Sequence, residues 1–180
     1  MIAIERMRNY FRTLYQDTMR RAYDMAYVQI TASIRSDSLL LDCGANTGQA
    51  YAALARRGTL APNHYVGIEG HAESAAAGRE RGLKFTCGDL NQWIEQEAGQ
   101  VSCVYALSVL EHLLNPCRFL RESYRVLRPG GQLVLLTPNI STYFTAVLIL
   151  LGRMPSSGSY VDSNELLQRE EIFRVISAAI

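Results

Sequence analysis

Apolar positions along the chain fall into five short runs separated by helical patterns, and that alternation predicts the fold. Residues 39–41, with Cys43 across Asp42, have the density of a buried parallel strand and stop at Gly44. The Ala- and Leu-rich stretch 50–57 reads as a helix. HYVGIEG (64–70) is a second run, 72–81 a helix ended by Gly82, and LKFTCGDL (83–90) a third strand closing on Asp89. A short helix is expected over 92–96, with Trp93 packed inward and Gly99 breaking it. VSCVYALSVL (101–110) is the fourth run. A helix over 120–127, an RPGG turn (128–131) and a fifth strand, QLVLLTPN (132–139), complete the series. Ahead of them, Ile4, Met7, Phe11, Leu14, Thr18, Ala22 and Met25 recur at three- and four-residue intervals and predict a helix over 1–34. Arg8, Arg12, Arg20 and Arg21 lie largely off that face, as expected of a solvated outer side on a helix packed against the domain as a lid.

Strands alternating with helices define an α/β protein, a Rossmann-like doubly wound parallel sheet of at least five strands with flanking helices. The parts are an N-terminal helical segment (1–34), a ligand-binding core (35–140) and a helical C-terminal extension (141–180). At 180 residues, 48% hydrophobic and 19% charged, the chain fits one globular domain. A net charge of +1, with basic residues spread along the chain, gives no electrostatic case for nucleic acid. Lys84 is the only lysine, and nothing in the sequence explains that bias. Cys43, Cys87, Cys103 and Cys117 are too far apart for a zinc or redox pair, and reduced core thiols are expected. The N-terminus lacks the apolar centre of a signal peptide, and the longest apolar run, 143–151, is too short to span a bilayer. These features point to a cytoplasmic protein without a transmembrane segment; the arginines of 1–34 leave a peripheral membrane contact open.

The chemistry concentrates at strand ends. Gly44 and Gly48 of LLLDCGANTGQA allow positive φ or close ligand approach at the start of a helix, although an ordinary βα turn uses glycine in the same way. Glu69 lies 25 residues beyond Gly44, near the offset at which a carboxylate reaches the ribose hydroxyls of a nucleoside. Asp42, Glu69 and Asp89 stand near the C-terminal ends of the first three strands, the edge at which open α/β sheets bind ligands. A nicotinamide dehydrogenase is disfavoured: Tyr51 stands where the third glycine of GxGxxG would fall, and Glu80, four residues before Lys84, denies a Tyr-x-x-x-Lys pair.

LLLDCGANTG, VGIEG, CGDL, SVLEHLLNP and RVLRPGGQLVLLTPN, in this order, resemble the class I S-adenosylmethionine-dependent methyltransferases, particularly the members that modify small molecules and lipids (methyltransferase type 11/12-like). The resemblance covers about 39–155. It implies a strand order of 3-2-1-4-5 and S-adenosyl-L-methionine as cofactor. Asp42, Gly44, Ala45, Asn46 and Gly48 would hold the methionine portion, and Glu69 would accept from both ribose hydroxyls. Asp89 would accept from the adenine amino group, with Gly70 and Leu90 against the ring. Ala106, Leu107 and Ser108 would lie beside the sulfonium, with Glu111 and His112 toward the acceptor. His112 is either the catalytic proton acceptor or a cap and loop-orienting residue for the following helix.

The sequence departs from the family at Ala50, where a third glycine is common, and at 101–103, which lack an acid at the start of strand four. Two further family strands are not evident in 154–180, which read as a loop and one amphipathic helix; the run 144–151 is expected to be a helix that covers the sheet edge or joins a second subunit in a homodimer. The expected function is methyl transfer to a small-molecule or lipid-like acceptor. The alternative is a non-catalytic cofactor-binding or interaction protein derived from the same fold.

Overall fold

The chain opens with a 31-residue helix, α1 (Ile2–Ala32), and then alternates. The elements are β1 (Leu40–Cys43), α2 (Gln49–Ala55), β2 (Tyr65–Glu69), α3 (Ala72–Glu80), β3 (Lys84–Cys87), β4 (Val101–Leu107), α4 (Pro116–Val126) and β5 (Leu127–Leu136). This computed structural model describes residues 2–58, 60–138 and 150. The five strands are all parallel, as the alternation predicts, and stand in the order β3-β2-β1-β4-β5 that the family resemblance implies.

Strand alternation sends successive residues to opposite faces, and both faces are covered. Leu40, Tyr65, Cys103 and Tyr105 join Ala26 and Ile30 of α1, Leu54 of α2 and Phe85 in one core. Leu41, Val66, Val104 and Ala106 meet Ile94 and the α4 residues Phe119 and Val126 on the other. Burial of each such aliphatic side chain contributes about 1.5–3 kcal/mol. Gly67 of β2 is required by packing: a Cβ there would lie 2.8 Å from the Phe85 ring and 2.9 Å from Ala45 Cβ.

Four expectations are corrected. The 92–96 stretch is irregular rather than helical, and Ile94, not Trp93, packs inward; Trp93 is 58% exposed beneath the Arg125 guanidinium, which stacks 3.9 Å from the ring centroid. RPGG does not end a helix in a free turn. It lies within β5 as a bulge, the segment 128–131 standing opposite Ser102 between the pairs Val101↔Leu127 and Cys103↔Gln132. The C-terminal half of α1 buries Ala26 and Ile30, whereas Met25, placed on the apolar face by its spacing, is 65% exposed. Tyr23, Ala26, Tyr27 and Ile30 carry the same helical spacing one residue along, and the amphipathic bodies of the tyrosines select that face. Of the four cysteines, Cys43 and Cys103 are buried thiols but Cys87 and Cys117 are exposed.

No helix among the described residues is long and apolar enough to cross a membrane. The helix expected over 144–151, like the rest of the 141–180 extension apart from Leu150, lies outside the described residues.

Candidate functional site

The C-terminal ends of β1, β2, β3 and β4 meet along one edge of the sheet, and two adjoining hollows open there, sharing Gly44 and Val109. Gly44 closes β1 with φ +79°, and a Cβ at this position would collide with the Val109 side chain. Only glycine fits both the left-handed backbone and the approach of the β4 loop. The next turn is tight as well: Asn46 adopts φ +48°, a conformation that asparagine tolerates. Gly48 (φ +83°) lines neither hollow; a Cβ there would lie 2.7 Å from Leu83, so this glycine serves the packing of α2. α2 has only seven residues, and the loop backbone and neighbouring side chains, rather than a helix dipole, give the turn its polarity.

The larger hollow, about 530 Å³, has Glu69, Gly70, Asp89 and Leu90 in its walls. Glu69 ties two loops together, its Oε2 accepting from the Asn46 backbone N–H at 2.7 Å and its Oε1 from that of His71 at 2.9 Å. Each carboxylate oxygen keeps a further lone pair with which to accept from a ligand hydroxyl. Asp89, two residues beyond β3, accepts through Oδ1 from the backbone and side-chain N–H groups of Asn91, at 2.9 and 2.8 Å. Asn91 in turn accepts from the backbone N–H groups of Leu114 and Asn115, so one amide fixes the Asp89 wall against the loop that carries Leu113 on the opposite side. Asn115 then caps α4, accepting from the Arg118 N–H, with Pro116 at the first helical position.

The smaller hollow, about 270 Å³, lies between the glycine turn and α1. Asp42, Ala45, Asn46, Leu107 and Ser108 line it from the sheet side, Tyr23 and Tyr27 from the helix. Asp42 is almost fully buried and accepts at 2.6 Å from the Tyr65 hydroxyl. Burial lifts its carboxyl to about 7; the Tyr65 and Tyr105 hydroxyl dipoles oppose the rise and the Glu69 charge adds to it. The Tyr105 hydroxyl is buried too, near enough to act on Asp42 but without a well-formed hydrogen bond to it. At the far side the loop after β4 turns through Ser108 at φ +58°, followed by the 3-10 turn Leu110–His112. Within that turn Glu111 is half-buried, accepting from the Thr137 hydroxyl at 3.3 Å, and His112 is exposed. His112 lines neither hollow, although Val109 and Leu113 on either side of it line the larger one.

The structure thus gathers Asp42, Gly44, Ala45, Asn46, Glu69, Gly70, Asp89, Leu90 and Leu107 around one bipartite cleft, while Gly48 and His112 stand outside its walls. Tyr23, Tyr27, Asn91 and Val109 were not anticipated. Nothing local marks them: Tyr23 and Asn91 act through contacts 85 and 23 positions away.

The cleft thus combines a glycine turn that only glycine can make with strand-end carboxylates, and comparison with known proteins identifies the family. A family model described as a methyltransferase domain matches residues 41–135, more than half of the chain. The chain belongs to the class I S-adenosylmethionine-dependent methyltransferase family. A ubiquinone biosynthesis O-methyltransferase from Maricaulis maris is 31% identical over 117 residues, covering 62% of this chain and 44% of that protein. An uncharacterised transposon protein from Streptomyces fradiae is 31% identical over 105 residues, 55% of this chain and 30% of its own length. This methyltransferase-family chain therefore spans less than half the length of these curated relatives. Among solved structures, a methyltransferase from Thermotoga maritima superposes over 94% of this chain and 77% of its own with a TM-score of 0.56 at 17% identity, a likeness of fold. The [4+2]-cyclase SpnF superposes over 63% of this chain and 43% of its own, with a TM-score of 0.51 at 29% identity.

Proposed function

We propose that the chain binds S-adenosyl-L-methionine along the C-terminal edge of its sheet and transfers the methyl group to a small-molecule or lipid-like acceptor. The observation that carries this reading is the placement of Glu69 and Asp89 in the walls of one cleft that continues past Gly44 into a chamber floored by Asp42. Both hollows suit the groups of such a cofactor: carboxylates for ribose hydroxyls and an adenine amine in one, a buried acid for an ammonium in the other. When bound, the cofactor supplies an electrophilic methyl on a sulfonium.

The chain's own contribution is alignment. Glu69 holds the ribose, Asp89 the adenine edge with Leu90 and Gly70 against the ring, and Asp42 with the backbone of 44–46 the methionine end. Leu107 and Ser108 close the site at the end of β4 and limit water there. An oxygen acceptor also needs its proton removed, and His112, in the loop between Val109 and Leu113, is the candidate base. The relatives named ubiquinone biosynthesis O-methyltransferases support a small-molecule acceptor with an oxygen nucleophile.

A second reading, a cofactor-binding protein without methyl transfer, is favoured by the position of His112: exposed, and in neither wall of the cleft. Incubation with radiolabelled S-adenosylmethionine and a panel of phenolic and lipid acceptors separates the two. Label appearing in an acceptor, and lost or reduced at least tenfold in His112→Ala, supports the first reading. Tight cofactor binding with no labelled product across the panel favours the second.

A further inference from the structure

The sheet edge explains most of the cleft, but α1 contributes a wall that the strand-end carboxylates do not account for. Tyr23 and Tyr27, one helical turn apart on α1, both line the smaller chamber across from Asp42 and Ser108. Tyr23 is latched to the sheet, its hydroxyl donating to Ser108 Oγ at 3.1 Å, and Ser108 is held at φ +58°, a backbone conformation unfavourable for serine. Tyr27 is clamped from outside: the Arg57 guanidinium lies 5.0 Å from its ring centroid and bonds Asp24, which offsets the guanidinium charge. Tyr23 and Tyr27 stand 6.1 Å apart, tilted by 57°, and form a corner rather than a stack. Asp42 is close enough to Tyr27 to raise its pKa, after the larger effect of burial. A carboxylate opposite two electron-rich rings is a chamber chemically matched to a cation.

We propose that α1 completes the cofactor site, with Tyr23 and Tyr27 recognising the ammonium and sulfonium cations at the methionine end of S-adenosylmethionine, across from Asp42. This rests on the cofactor reading above and extends it to a helix that lies outside the matched family region of 41–135. The residues divide the work. The two rings face the ammonium and sulfonium, Ser108 fixes Tyr23, and Arg57 with Asp24 fixes Tyr27. Ser108, Arg57 and Asp24 are positioning residues.

The test is titration calorimetry of the full chain and of Tyr23→Leu, Tyr27→Leu and Glu69→Ala with three probes: S-adenosylmethionine, S-adenosylhomocysteine and 5′-methylthioadenosine, which lacks the amino-acid end. Each tyrosine substitution is expected to weaken S-adenosylmethionine about tenfold, S-adenosylhomocysteine about threefold, and methylthioadenosine less than about twofold. Glu69→Ala is expected to weaken all three. Equal losses on all three probes in the tyrosine variants, or none on any, overturn the inference while the Glu69 result leaves the cofactor reading standing. Wild-type protein that binds none of the probes overturns both. Without any substitution, amide exchange in 20–30 of the wild type should slow with S-adenosylmethionine and not with methylthioadenosine; unchanged exchange with both contradicts a role for α1.

Discussion

Asp42 is the residue whose charge the fold controls most strongly. Its carboxyl titrates near 7 in the folded chain against 3.8 for the free group, so between those values the folded protein holds a proton that the unfolded chain has released. Its contribution to stability is fully present below about pH 4 and is lost as pH rises through 7. The urea midpoint should therefore fall between pH 5 and pH 8 by an amount equivalent to roughly 3 kcal/mol, and Asp42→Asn should flatten the profile. An equally steep profile in the variant would assign the effect elsewhere. Glu69 makes the simpler prediction: Glu69→Ala should weaken S-adenosylmethionine by about 1.5–3 kcal/mol, because a charged acceptor is lost. Unchanged affinity in calorimetry would remove it from the site. Glu69 and Asp89 were legible in the sequence because each closes an apolar run, a purely local signal. Tyr23 and Asn91 were not, since their roles depend on contacts with Ser108 and with Leu114 and Asn115 across the fold.

Among the elements, α4 shows how a connection with no regular structure is held. Arg125 donates to the Ile94 and Gln96 carbonyls at 2.8 and 2.9 Å, bonds Glu122 and covers Trp93, fastening 93–96 to the helix. Burial alone would raise the Glu122 pKa, but the hydrogen bonds from Arg125 and the Ile94 N–H outweigh it and hold it below the usual range. Arg125→Ala should cost about 2 kcal/mol in urea unfolding, through the two carbonyls and the carboxylate left unpaired. A loss under about 0.5 kcal/mol would mean that water replaces the guanidinium at no cost. The sequence misplaced this region because Trp93 and Ile94 are adjacent and both apolar; their inward and outward assignment is decided by a cation 31 residues beyond Ile94. α1 fails in the same way. Two overlapping apolar stripes were available, and packing against the sheet and α2 chose the one carrying the tyrosines.

At the scale of the whole molecule, the parallel sheet follows from the alternation of buried runs and helices and was legible throughout, whereas its strand order was implied by the family resemblance. The bipartite shape of the cleft was not, because it arises where α1 lies over a sheet edge that local pattern places correctly but leaves open. A ligand spanning both hollows holds β1, β2, β3, β4 and α1 together, so it should stabilise the fold as a unit. At a hundred times its dissociation constant, S-adenosylhomocysteine should add about 2.7 kcal/mol, seen as a single thermal transition moved upward. A shift confined to part of a split transition would show that the elements around the cleft do not unfold together.

The most direct test of the central claim is titration calorimetry of the chain with S-adenosylhomocysteine and, in parallel, with NAD. The account predicts one site per chain for S-adenosylhomocysteine, weakened by Glu69→Ala, and no heat above dilution for NAD. NAD binding in the absence of S-adenosylhomocysteine binding, or S-adenosylhomocysteine binding that Glu69→Ala leaves untouched, would contradict it.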